Sequence, residues 1–157
     1  MKGFVVSVNI SGKKGERKSP VHKAMVNADC GLEGDAHASS SWHRQISLLA
    51  VESIEKMQGM GLDVKPGDFA ENITTQGLDL LSLPLGTIMH IGHEVVGEVS
   101  QIGKECHTRC AIFYQAGDCV MPKEGIFIKV LQGGRVSDGD EIEVSMPDLK
   151  SDGERTS

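Results

Sequence analysis

Aromatic side chains are scarce in this chain: four Phe, one Tyr and one Trp make up 4% of 157 residues. A platform that stacks successive nucleobases needs more than that. Positive charge is in deficit as well. Sixteen Lys and Arg face 22 Asp and Glu, a net charge of −6, whereas a dedicated nucleic-acid binder draws its affinity from neutralising phosphates. No apolar run approaches the roughly 20 residues of a membrane-spanning helix. The start MKGFVVSVNI has neither the basic opening nor the apolar stretch of a secretory signal. Two chemical signatures are missing too: a Gly-x4-Gly-Lys-Ser/Thr phosphate loop and paired Cys-x2-Cys zinc knuckles. These absences leave a cytoplasmic protein with one hydrophobic core as the expectation, with neither nucleic acid nor membrane as partner.

Glycine, by contrast, is abundant, with 19 residues spread between short apolar stretches. Tight turns between short strands produce that pattern; a helical bundle does not. Phe4–Ile10, rich in β-branched residues, reads as an opening strand and Val21–Ala28 as a second. Gly31–Asp35 reads as a turn. His43–Leu49 reads as a strand feeding a helix, in which Val51, Ile54 and Met57 recur at three-residue intervals before Gly59 and Gly61. Phe69–Thr75 reads as extended, and LDLLSLPLG as one helical turn halted by Pro84. Gly86–Ile91 and Glu94–Ile102 form a predicted hairpin around Gly92-His93, a pair that fits a turn beginning with glycine. Gly125–Leu131 and Asp140–Ser145 read as the last two strands. The sum is a mainly β fold: a strand-rich closed or nearly closed barrel with one or two short helices, in a single domain over 4–146. Residues 147–157 read as a polar, disordered tail.

Of the four cysteines, Cys30, Cys106, Cys110 and Cys119, three fall within fourteen residues. Without an export signal, free thiols or ligands are favoured over disulfides. Lys104, His107 and Arg109 surround Cys106 and Cys110 with charge that favours the thiolate, the form that attacks, ligates metal and carries sulfur; Glu105 opposes them. Two cysteines packed inertly in a turn are the plain alternative, but charged flanks make a poor core sequence. Cys106, His107, Cys110 and Cys119 also include the ligand types of zinc, although Cys-x3-Cys with one later Cys meets the structural-zinc pattern only half way. A third possibility for Cys106 and Cys110 is a thiol–disulfide pair. Near the N-terminus, SGKKGERKSP places Lys13, Lys14, Arg17 and Lys18 in a loop whose Gly12 and Gly15 free backbone amides for a phosphate. The plain alternative is a solvated basic loop. Arg44 stands before an apolar strand, placed to grip an anion bidentately or to pair with Glu33, Asp35 or Glu71. Asp35, His37 and His43 are candidate metal ligands, set against the ordinary case of isolated histidines satisfied by their neighbours.

Several of these segments together resemble the MOSC family, named for the C-terminal domain of molybdenum cofactor sulfurases. The resemblance runs from Val5 to Val144 and rests on Gly34-Asp35-Ala36-His37, His43-Arg44-Gln45-Ile46-Ser47-Leu48-Leu49 and Gly67-Asp68-Phe69-Ala70-Glu71-Asn72-Ile73. It continues through Leu85-Gly86-Thr87, the Cys106–Cys110 segment and Val136-x3-Asp140. Each piece is weak alone; in this order along one short chain they are specific. The chain looks like a small stand-alone bacterial member.

The resemblance implies a barrel-like fold that handles the pyranopterin molybdenum cofactor or its sulfur. It makes Cys106 or Cys110 the reactive thiolate and molybdenum ligand, with His107 and Arg109 supporting it. Mitochondrial amidoxime reductases carry a ligating cysteine in an Arg-Cys-apolar context similar to Arg109-Cys110-Ala111-Ile112. Other small members carry a cysteine after proline, where this chain has Glu105-Cys106, so both thiols stay candidates. Lys13, Lys14 and Arg44 would then meet the cofactor's phosphate, with Lys104 beside the thiol and Asn72 at the pterin edge. Sulfurases have a pyridoxal-phosphate desulfurase domain that this chain has no room for. Sulfur would therefore come from a separate cysteine desulfurase and go to the cofactor or a molybdoenzyme, a carrier or transferase role. Zinc stays the alternative cofactor, in a binding module without catalysis. The basic loop and the cysteine segment are expected to open toward the same barrel mouth.

Overall fold

Alternation of buried and exposed side chains sets the frame. In β1 (Lys2–Ile10), Gly3 and Val5 are buried while Lys2 and Phe4 are exposed. Likewise β11 (Glu141–Ser145) buries Ile142 and Val144 between exposed Glu141, Glu143 and Ser145. Strands with one apolar face must cover it, and here they do so by closing on themselves. The structure, a computed structural model, describes residues 1–12, 17–35, 38–40, 45–103 and 124–145. Between β1 and β11 the chain forms β2 (Ser19–Pro20), β3 (Lys23–Asn27), β4 (Gly31–Leu32), β5 (Ile46–Ala50), α1 (Val51–Gly59) and β6 (Ile73–Gln76). A single 3-10 turn (Leu80–Ser82) follows, then β7 (Ile88–Ile91), β8 (Val95–Ile102), β9 (Ile126–Gln132) and β10 (Gly134–Ser137).

The series β1–β6–β5–β9–β8–β7–β11 returns to β1, giving a closed seven-stranded barrel, with α1 as the one helix of several turns among the described residues. Its pairings are antiparallel except β5 with β6, where Leu48 lies beside Ile73. A parallel neighbour needs a crossover, and α1 supplies it. A second, three-stranded sheet, β10–β3–β4, lies beside the barrel. Within β5, Ile46 and Leu48 join the barrel core, whereas Leu49 packs with Ile54 and Met57 of α1, Phe69 and Phe127. The strand is thus apolar on both faces, as a strand covered by a crossover helix must be. Helix α1 ends in a Schellman arrangement. Gly61, at φ +93°, donates to Gln58 O, and Leu62 donates to Met57 O.

The barrel and its helix agree with the sequence. Differences lie at turns. The loop between β7 and β8 has three residues, Gly92 to Glu94, because Ile91 pairs with Val95; Glu94 faces the turn instead of opening the strand. Strand β10 was not expected, since Gly133-Gly134 reads as a break. A Cβ at Gly133 would stand 2.4 Å from Val26 O, so the glycine there serves close approach to β3. A turn at 66–69 and an irregular stretch at 70–72 precede β6, which starts only at Ile73. Among the described residues no helix is long and apolar enough to cross a membrane.

Candidate functional site

Buried polar side chains concentrate on one wall, where β1 ends and β5 and β6 begin: Asn9, Lys18, Asp35, Ser47, Glu71, Asn72 and Thr74. Polar groups this deep need partners, and all but one carboxylate oxygen of Glu71 can be followed to partners within the wall. The Asp35 carboxylate is the hub. Its Oδ1 accepts from Lys18 Nζ at 2.7 Å and from the Ser11 backbone N–H at 3.1 Å. Lys18 Nζ also donates to Ser11 Oγ at 3.3 Å. Both side chains of the ion pair are shut off from solvent, at 0% and 1% exposure. Ser11 leaves β1 and Lys18 enters β2, so one carboxylate oxygen ties both limbs of the basic loop.

The returning limb is fixed a second time. Lys18 N–H donates to Gly67 O at 2.8 Å, and Arg17 pairs with Asp68 at 3.3 Å. Gly67 sits at φ +94°, and a Cβ there would lie 2.3 Å from Lys18 O, so only glycine permits this contact. Ala70, three residues on, holds φ +64° without being glycine. That left-handed backbone is strained, and the side chains around it hold it in place. Ser47 N–H donates to Asn72 Oδ1 at 3.0 Å, Asn72 N–H returns to Ser47 Oγ at 3.0 Å, and Asn72 Nδ2 donates to Asn9 O at 3.3 Å. Thr74 Oγ and Gly67 N–H both donate to Glu71 Oε2, at 2.6 and 3.0 Å. The other oxygen, Glu71 Oε1, is buried and has no partner.

Two carboxyls in one junction therefore meet opposite fates. Burial pushes Asp35 up, but the Lys18 hydrogen bond and charge, the Ser11 amide and Asn72 outweigh it and leave the carboxyl below its ordinary range. Burial also pushes Glu71 up, and there the Gly67 amide and the Thr74 hydroxyl offset it only in part.

The predicted site residues divide by location. Lys13, Lys14, Arg44, Lys104, Cys106, His107, Arg109, Cys110 and Cys119, with His37 and His43, lie outside the described residues. Asn72 is buried, its amide spent on Ser47, Asn9 and Asp35. Asp35 is a clasp for Lys18, and among the described residues no cluster of three His, Cys, Asp or Glu forms. Gln45, next to Arg44, pins strands: Oε1 accepts from Val130 N–H at 2.9 Å and Nε2 donates to Asp29 at 3.1 Å.

The cysteine segment has a fixed base. Gly103 N–H donates to Gly125 O at 2.7 Å, closing the chain where 104–123 departs and returns. Glu124 is held to α1 by Ser53 Oγ at 2.6 Å and by an ion pair with Lys56. A hairpin of about 2–5 residues would suffice to join antiparallel β8 and β9. Twenty residues lie between Gly103 and Glu124, so the barrel alone does not call for them. From the level of Leu48 and Ile73, Ser11 continues β1 toward one end of the wall while Gly125 departs toward the other. The two bases thus face opposite ends; residues 13–16 and 104–123 themselves lie outside the described ones.

Sequence reasoning missed the clasp. Lys18 reads as one more basic loop residue, and nothing local marks it as buried. Glu71 reads as part of an extended stretch; its only signal is a carboxylate inside Phe69–Ile73.

Fold and junction define a small closed-barrel domain, and solved structures share its fold. The YuaD protein from Bacillus subtilis superposes with TM-score 0.76 at 21% identity, covering 92% of this chain and 96% of that one. YiiM from Geobacillus stearothermophilus gives 0.71 at 24%, with 96% and 78% covered. YiiM from Escherichia coli gives 0.64 at 23%, with 94% and 71% covered. No curated protein matches the sequence. The family model described as MOSC domain matches residues 33–143, well over half of the chain, and the chain belongs to the MOSC domain family.

Proposed function

We propose that this MOSC domain binds a phosphate-bearing, pterin-type molybdenum cofactor or passes sulfur to it through a cysteine thiolate. The Asp35 clasp carries the reading. It anchors both limbs of a loop bearing Lys13 and Lys14, and anchored backbone amides with flanking lysines suit a phosphate. The donor set fits such a group in charge. The bases of the basic loop and of the cysteine segment face opposite ends of the wall, so the 20-residue cysteine segment would have to reach across it for both to meet one cofactor. Lys13, Lys14 and Arg44 would hold the phosphate, with Lys104 near the thiol. Asn72, with its amide already engaged, would act from behind through Asp35. Cys106 or Cys110 would face the molybdenum, and His107 and Arg109 would favour its thiolate. The bound cofactor would supply the metal centre.

In the sulfur-carrying form, the cysteine thiolate attacks the terminal sulfur of a donor persulfide. A new S–S bond forms on the accepting cysteine as the donor's S–S bond breaks, and the donor leaves as a thiolate. Such a donor would be a separate cysteine desulfurase, and the acceptor a molybdoenzyme or free cofactor. The test is intact mass and metal content of protein purified from molybdate-replete cells. Molybdenum with a bound pterin, or a mass increase of one sulfur on Cys106 or Cys110, is the expected result. Stoichiometric zinc with unreactive thiols, or a Cys106–Cys110 disulfide that cycles, would reject it.

A further inference from the structure

We infer that Glu71 is the pin of a proton-dependent latch: Ala70-Glu71 lies folded onto the polar wall while the carboxyl is a neutral acid, and swings out to water when it ionises. The latch stands apart from the cofactor reading. Glu71 is 0% exposed. Its Oε2 accepts from Gly67 N–H at 3.0 Å and from Thr74 Oγ at 2.6 Å, and its Oε1 meets no donor. A neutral acid in that place leaves one polar atom unsatisfied. A carboxylate would leave half of a buried charge without a partner, which costs far more.

Among the described residues no cation takes up that charge. β1 and β6 meet Glu71 with Asn9 and Thr74, both neutral. The charged groups around it are Lys18 of β2, Arg17 before it, Asp35, and Lys65 and Asp68 of its own turn. Lys18 pairs with Asp35, Arg17 pairs with Asp68, and Lys65 is exposed. Burial, the largest influence on the carboxyl, holds it above its ordinary range.

The backbone can open here while the barrel stays closed. Phe69 is locked among Leu49, Ile54 and Met57 in the apolar cluster of α1. Asn72 is tied to Ser47 of β5 and, by its carbonyl, to Asn9 of β1. Between these anchors lie only Ala70, in left-handed backbone at φ +64°, and Glu71. Turning Ala70 out of that conformation relieves its strain and carries Glu71 to solvent. Gly67 N–H then loses Glu71 Oε2, and Ala70 N–H loses Gly67 O.

Those two amides are the reporters. Hydrogen exchange of the full chain, resolved by NMR from pH 5 to 9 and corrected for the intrinsic dependence on pH, is the experiment. Opening coupled to the loss of one proton makes protection of Gly67 and Ala70 fall about tenfold per pH unit. The exchange should be insensitive to low urea, as a local opening is, whereas amides of β8 and β9 stay better protected and respond to urea. Glu71→Gln keeps an acceptor for Gly67 and Thr74 but cannot ionise, so its Gly67 and Ala70 protection should be independent of pH. Should that variant fail to fold, the pH slope and urea response of the native chain decide the matter. A flat profile in the native chain, the same slope in Glu71→Gln, or Gly67 exchange that follows urea as β8 and β9 do would each overturn the latch.

Discussion

Replacing Glu71 with Gln should flatten the pH dependence of stability without disturbing the barrel. Burial raises the folded-state pKa of Glu71 above its ordinary 4.5. Below that ordinary value the carboxyl is neutral in folded and unfolded chains alike, and its contribution is whole. Above it the unfolded chain releases a proton that the folded protein keeps, so stability falls as pH rises, until the folded carboxyl ionises too. One proton fixes the slope at about 1.4 kcal/mol per pH unit over that window. The structure explains why Gln is the right probe. Its carbonyl can accept from Gly67 N–H and Thr74 Oγ as Oε2 does, and its amide occupies the place of the partnerless Oε1. Urea unfolding followed by far-UV circular dichroism, at steps from pH 5 to 9, gives the two profiles. Asp35 is ionised throughout that range, and the Arg17–Asp68 and Lys18–Asp35 pairs flanking the junction are common to both proteins, so the difference isolates Glu71. The native protein should lose stability relative to Glu71→Gln as pH climbs. Parallel profiles would refute the assignment of a buried, proton-holding carboxyl.

Other expectations follow from single contacts. Gly67→Ala forces an L side chain to φ +94° and its Cβ to 2.3 Å from Lys18 O, and should cost about 2–4 kcal/mol in urea unfolding. Ala70→Gly should do the opposite, raising stability by about 0.5–1 kcal/mol as the strain at φ +64° is relieved. Ile54→Ala, which empties the seam between α1 and β5, should cost about 2–5 kcal/mol. Lowering pH through the depressed Asp35 pKa should erode stability, and Lys18→Met should remove that acid-side dependence while costing about 3–5 kcal/mol for the orphaned charge. Timed alkylation at pH 7 with mass mapping should label Cys106 or Cys110 well before Cys30, and uniform labelling would count against the electrostatic choice of thiol.

The barrel was legible because its signals are periodic. The β-branched run Phe4–Ile10, the strand reading at Asp140–Ser145, and Val51, Ile54 and Met57 at helical spacing all survive in the fold. Where glycine was read as punctuation, the reading slipped. Gly133 marks a close approach to Val26 O, and Gly92 opens a three-residue loop. Both depend on a partner strand that the local sequence does not contain. The buried polar junction was illegible for the same reason. Lys18 owes its burial to Asp35, seventeen residues on, and Asn72 its hydrogen bonds to Ser47 and Asn9, 25 and 63 residues away.

That junction also explains why the motif pieces look weak singly and specific in series. Asp35 closes the basic loop, Ser47 opens β5 beside Asn72, and Gly67, Glu71 and Asn72 carry the turn into β6. Apart from the bond of Gly67 N–H to Glu71, the contacts that give these residues a purpose cross from one segment to another. An Asp in a turn, a Ser in an apolar strand and an Asn before Ile73 are ordinary until the parallel pairing of β5 with β6 brings them to one wall. The pairing in turn depends on α1, whose crossover lets two strands run side by side in the same direction. The same helix holds Glu124 through Ser53 and Lys56, at the point where the cysteine segment rejoins the barrel. One nine-residue helix therefore sets the register of the polar junction and anchors the return of the chain that carries Cys106 and Cys110. Weakening Ser53–Glu124 by Ser53→Ala should accordingly alter thiol reactivity in that segment while leaving the junction's pH dependence as it was. Thiol labelling that ignores the substitution would break this link between helix and cysteine segment.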